Sequence, residues 1–133
     1  MTDMITIEAD VVVCPEDIDD IMVSALEGGI NYWCDEARVQ ENKRVAEWGH
    51  EQIARGGSLM MHTIEPFDKD ETEWYELTKE KFLQGLKMYL QDPDDRNVLD
   101  IDRGKLWIDA GYIDGNAADE IIQYALFGEI VYA

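Results

Sequence analysis

The sequence predicts an α+β domain in which about four helices pack on a mostly antiparallel sheet. Two kinds of run and their punctuation carry that expectation. Apolar residues recur at helical spacing over 18–26, 82–90 and 118–126, whereas residues 4–13, 58–64 and 73–77 are β-branched or alternating. Glycines and prolines separate the runs. At 133 residues the chain is expected to be one domain, 1–133. A domain of this size buries about two-thirds of its unfolded surface and needs no staple. The 46% of hydrophobic residues argues against disorder.

Residues 4–13 read as a strand. Cys14-Pro15-Glu16-Asp17 then opens a helix, because proline suits the first helical position and acids there complement the helix dipole. Ile18, Ile21, Met22, Ala25 and Leu26 form its apolar stripe, and Gly28-Gly29 ends it. The junction Glu27-Gly28-Gly29-Ile30-Asn31-Tyr32-Trp33-Cys34 joins this helix to the rest of the chain. Residues 33–40 fit a strand better than a second short helix, and 45–55 fit a short helix stopped by Gly56-Gly57.

Residues 58–64 and 73–77 then make a hairpin across a polar turn containing Pro66, Asp68, Asp70 and Glu71. Thr78 caps the clearest helix, whose apolar face is Phe82, Leu83, Leu86, Tyr89 and Leu90. Gly85 inside it costs about 1 kcal/mol relative to alanine, which points to a close packing contact. Residues 92–112 are expected to be an acidic insertion or loop holding a small strand pair. Asp114 or Asn116 caps a last helix with the stripe Ala118, Ile121, Ile122, Ala125 and Leu126; Gly128 ends it, and 129–132 read as a final strand.

Charge is the extreme feature: 30 acidic against 11 basic residues, a net charge of -19. Direct binding to nucleic acid or to an anionic membrane is disfavoured, because phosphate contacts need Lys and Arg, whereas a basic partner protein would be attracted. Cys14 and Cys34 are expected as reduced thiols, and no apolar run approaches a membrane span. A cytoplasmic site of action follows as the expectation.

Reactive patterns are sparse. His50 and His62 lack metal-ligand spacing, and Cys34 with His62 makes a nucleophile–base pair only if the fold brings them together. Asp100-Ile101-Asp102-Arg103-Gly104 resembles a calcium loop without its register. No catalytic residue, metal or cofactor is therefore assigned, and the expectation is a protein that is not an enzyme. Asn31, Tyr32 and Trp33 keep two readings: a recognition patch, or a structural junction under the sheet. Partner-binding candidates are Glu16, Asp17, Asp20, Asp68, Asp70, Glu71, Asp92, Asp94 and Asp95. Gathered on one face, these could imitate a nucleic-acid backbone; scattered, they serve only solubility or a saline host.

Two stretches together carry a resemblance. Residues 25–33, with Glu27-Gly28-Gly29, Asn31, Tyr32 and Trp33, and residues 118–132, with Ala118-Asp119, Gln123, Ala125 and Phe127-Gly128-Glu129-Ile130-Val131-Tyr132, resemble a family of small acidic phage and prophage proteins. Gly56-Gly57, Leu77-Thr78 and Phe82 to Leu86 also fit, so the likeness covers most of the chain. Ala133 stands where glycine is expected, and 92–112 is longer than usual. The resemblance implies a viral or mobile-element origin and a cytoplasmic site of action, in the host cell with a basic host protein as the expected partner, and transfers no catalytic or ligand-binding residue.

The functional expectation is a phage-type accessory protein that acts by binding protein, as a DNA-mimic-like inhibitor of a host nucleic-acid-handling defence complex of the CRISPR or restriction type. The alternative is an assembly module of a mobile element that self-associates through its sheet edge and the Tyr32–Trp33 region, with no inhibitory role. A third reading is a small-molecule binder at a subunit interface. The oligomeric state stays open, with a homodimer among the options.

Overall fold

The computed structural model of the chain describes residues 3–133 and shows a compact α+β arrangement. In chain order it contains β1 (Val11–Val12), α1 (Pro15–Ser24), β2 (Cys34–Val39), β3 (Ser58–Thr63) and β4 (Trp74–Thr78), then α2 (Lys79–Leu90), β5 (Leu99–Asp102), β6 (Lys105–Ile108) and α3 (Gly115–Phe127). The described residues hold three α-helices rather than four, and the strands form two small sheets rather than one. The antiparallel sheet β2-β3-β4 is continuous along the chain. The second has the order β1-β6-β5, in which β1 runs parallel to β6.

The missing helix has a local cause. Residues 45–55 contain only a 3-10 turn at Gly49–Glu51. Gln52 is fully buried there; its Oε1 accepts from Val45 N, and its Nε2 donates to the Ala46 and Trp48 carbonyls. One side chain thus takes backbone groups that a helix would pair with each other. The first expected strand shrinks to Val11–Val12 because β6 offers it only Leu106 and Trp107. Residues 129–132 make no strand pairing at all, for a reason given below.

Helix α1 begins as its sequence suggests, with Pro15 in the first turn and Asp17 accepting from Cys14 N at 3.1 Å. Its last turn widens into a π-turn over Ala25–Gly29. A Cβ at Gly29 would stand 2.5 Å from the Gly115 carbonyl oxygen, so this glycine lets the junction lie directly on the start of α3. Gly85 performs the same service between α2 and α3, which cross with its Cα against the Ile121 carbonyl and Ala125. Ile18, Ile21, Met22, Trp33, Leu59, Met61, Leu77, Phe82, Leu86, Ile121 and Ile122 form one continuous core between the helices and β2-β3-β4.

Residues 92–112 are ordered around a hairpin, β5-β6, flanked by 3-10 turns at Arg96–Val98 and Ala110–Tyr112. Val98 and Ile108 anchor the segment in the core. Both cysteines are free.

Candidate protein-binding cleft

The junction and the C-terminal segment meet on α3. Asp119 is 8% exposed and is the one buried acid among the described residues. Its Oδ1 accepts from Trp33 Nε1 at 2.7 Å and from Gln123 Nε2 at 2.9 Å, and its Oδ2 accepts from the Tyr32 hydroxyl at 2.5 Å. A buried carboxylate is tolerable only with such a full set of donors. Gln123 then takes over the backbone of the last residues. Its Oε1 accepts from Val131 N and Tyr132 N, each at 2.8 Å, and its Nε2 donates to the Tyr132 carbonyl. One amide side chain thus substitutes for a neighbouring strand, which is why the expected final strand is an unpaired segment.

Aromatic packing seals this joint. Tyr132 stacks on Trp33 with centroids 5.4 Å apart and planes 4° apart, and Phe127 meets the edges of Trp33, Phe67 and Tyr75. Trp33 is 1% exposed, so it is core; Tyr32 keeps half its surface in solvent while its hydroxyl points inward. Loss of solvent around that hydroxyl, then its bond to Asp119, push the Tyr32 phenol up to about 12. Asn31 is exposed, with no side-chain hydrogen bond. Of this trio, Trp33 is part of the core, and Tyr32 bonds into it while presenting half its surface to solvent.

Beside Tyr32 opens a cleft of about 470 Å³ lined by Asp94, Asp114, Asp119, Glu120, Ile130 and Tyr132, with Asn116 and Ala133 at its margin. Three separate pieces of local structure aim carboxylates into it. Asp114 caps α3 by accepting from Ala117 N at 2.9 Å. Asp119 and Glu120 follow in the second turn of α3. Asp94 comes from the turn after α2, held there by its backbone N–H, which donates to the hydroxyl of buried Tyr89 at 3.1 Å.

No ion pair among the described residues neutralises these four groups. Partial burial, then the shared hydrogen bond and charge of Asp94, with Asp119 and Asp114 adding repulsion, push the Glu120 carboxyl up to about 7. The sign of its effect on stability follows. Between the ordinary glutamate value of 4.5 and about 7, the folded chain holds a proton that the unfolded chain has released, so stability falls as pH rises through this window. Glu120→Gln should remove that slope and raise the melting temperature above pH 7 by about 3–5 °C, with little change at pH 4. Unchanged pH profiles for the variant and the parent would refute the cleft electrostatics.

The other nominated acids do not join this cleft. Asp17 is occupied with Cys14 N, Asp95 accepts from Asn97 N, and Asp68 accepts from Thr72 N and Oγ1 at 2.7 and 2.6 Å. Those Thr72 bonds hold the Asp68 carboxyl below the ordinary aspartate range. Glu16, Asp20, Asp70, Glu71 and Asp92 are exposed, in three separate parts of the chain, and α1 is further committed by the Asp19–Arg55 pair. Only Asp94 of the nine faces the cleft. Asp119, Glu120 and Tyr132 were absent from the sequence-derived set. A signal for two of the site's side chains existed: Asp119 and Gln123 stand four apart, polar, within an otherwise apolar helix face.

Cys34 and His62 do not form a dyad. Burial pushes the Cys34 thiol up to about 11, and its Sγ donates to the Glu36 carbonyl. The His62 ring instead lies between Asp35 and Glu73 against Trp74, and the Asp35 bond, then that of Glu73, raises its pKa. Among the described residues no three His, Cys, Asp or Glu side chains are placed to hold one metal ion, and no helix is long and apolar enough to cross a membrane. No protein-family model, no curated protein and no solved structure matches this chain.

Proposed function

We propose that this chain acts by binding a basic protein surface, with the cleft beside Tyr32 as its centre. The observation that carries the reading is the convergence of Asp94, Asp114, Asp119 and Glu120 on one cleft with no ion pair to them among the described residues; partial burial first, then the bond and charge of Asp94, favour the protonated form of Glu120. An arginine or lysine of a partner entering there relieves the repulsion and releases that proton. Tyr32 and Tyr132 supply amphipathic rings at the rim, residue types that anchor binding hot spots. A net charge of -19 speeds encounter with a cationic surface and repels nucleic acid. The finer form of the reading is a phage-type inhibitor that occupies the nucleic-acid groove of a CRISPR or restriction complex. Its support is the surplus of acid and the family resemblance. The exposed acids of α1 and the 68–71 turn then serve long-range attraction rather than the contact itself.

The test is a pull-down from bacterial lysate with the immobilised chain at low and high salt, followed by a gel-shift assay of the captured protein with its nucleic acid. A basic, nucleic-acid-binding partner should be retained at low salt, released at high salt, and lose its nucleic acid when this chain is added. Asp94→Asn with Asp114→Asn should weaken capture at least about tenfold, the scale of one lost buried charge contact. Recovery of no cationic partner, or capture indifferent to both salt and the double variant, would end the reading.

A further inference from the structure

From the N-terminal arm we infer that the chain pairs with a second copy of itself by exchanging residues 3–10. The arm belongs to no helix or strand and carries Met4, Ile5 and Ile7 at 96%, 92% and 84% exposure. Three large aliphatic side chains on one short segment in water form a surface that monomeric proteins rarely leave uncovered. The arm runs straight into β1, the edge strand of its sheet, whose outer side has no neighbour.

The complementary surface stands on the same molecule. A groove of about 860 Å³ runs between α2 and the root of the arm, lined by Leu83, Leu86 and Leu90 with Val11, Val13 and Leu99. Thr6, Ile7, Ala9 and Asp10 of the same molecule form one wall of this groove, and Ile7 keeps most of its surface in solvent, so the space between that wall and α2 stays open. Charge matches as well. The arm bears Asp3, Glu8 and Asp10, Lys87 lines the groove, and Lys105 lines the adjoining recess with Ile101 and Leu106. Neither lysine forms an ion pair among the described residues, although the chain has 30 acids and only 11 bases.

One chain carrying both an exposed apolar arm tip and an open apolar groove at the root of that arm satisfies both at once in a two-fold pair, because the tip of each copy enters the groove of the other. Two arms laid into two grooves bury on the order of 1,000 Å², the lower range of specific interfaces. The pairing leaves the acidic cleft out of account, so it stands or falls separately from the proposed function. It also differs from association through the Tyr32–Trp33 region, where Trp33 is buried and Tyr32 is bonded to Asp119.

Light scattering of the full chain across a concentration series should show a species of twice the 15.3 kDa chain mass. Ile5→Asp with Ile7→Asp in the arm, and separately Leu83→Asp in the groove, should each return it to one chain mass with an unchanged thermal melt. In a Cys14→Ser background, chains carrying Ile7→Cys mixed with chains carrying Leu83→Cys should form a mixed disulfide dimer on oxidation. A chain that stays monomeric at every concentration overturns the inference. So does a dimer that survives the arm variant, or a disulfide that forms only within a single chain bearing both cysteines.

Discussion

Replacing Asp119 by alanine should lower the stability of the fold by about 3 kcal/mol, a fall of roughly 10 °C in melting temperature. The carboxylate is the shared acceptor for the Trp33 indole, the Tyr32 hydroxyl and the Gln123 amide, and two of those partners lie 86 and 87 positions away in the chain. Its removal strands donors that the surrounding packing shields from water, and each unpaired buried donor costs about 1–3 kcal/mol. The gain from removing one of four crowded carboxylates is smaller, because the cleft is open to solvent, where repulsion is screened. Tyr32→Phe, which deletes a half-exposed partner, should cost about 1 kcal/mol. Urea melts of both variants at pH 7 measure this, and a loss below about 1 kcal/mol for Asp119→Ala would show that the network does not hold the C-terminal segment.

Gly85→Ala should destabilise by about 2–3 kcal/mol, the reverse of the usual gain for this change within a helix. The added methyl would sit 2.5 Å from the Ile121 carbonyl oxygen and 2.7 Å from Ala125 N. These are backbone atoms of α3, so no rotamer change makes room and the two helices must move apart. Separation opens the packing of Phe82, Leu86, Ile121 and Ile122 along the same contact. Gly28→Ala is the control, because a Cβ there meets nothing within 4 Å. Chemical denaturation should separate the two glycines clearly, and a Gly85→Ala protein as stable as its parent would mean that α2 and α3 cross less closely.

The secondary structure was legible where one face of an element meets the core. Helices α1, α2 and α3 follow their apolar stripes, Thr78 and Asp114 cap as their residue types suggest, and the β3–β4 hairpin stands on its expected runs. Periodicity failed where a single polar side chain replaced a ladder of backbone bonds. Gln52 unmade a helix over 45–55, and Gln123 unmade a strand over 129–132. Both glutamines are wholly buried, and a lone glutamine in a sequence gives no sign of whether it faces water or the main chain. The edge strand failed for a different reason: residues 3–10 have the composition of a strand, but within one chain they have no neighbour to pair with.

The site was less legible than the fold. The nine acids singled out from the sequence divide in the fold: Asp17, Asp68 and Asp95 accept turn and cap bonds, five others are exposed, and Asp94 lines the cleft. The cleft is built instead from Asp94, Asp114, Asp119 and Glu120, which come from two distant stretches. By itself the sequence determined an acidic α+β chain, three of the four helices expected from it, one hairpin and a junction of glycines and aromatics. Only the tertiary structure decided that Gly29 seats this junction on α3, that Trp33 and Tyr32 close on Asp119, and that four carboxylates share one opening. The reason is physical: spacing along a chain encodes which face an element buries, whereas charge, solvation and hydrogen bonding at a site depend on what arrives from elsewhere.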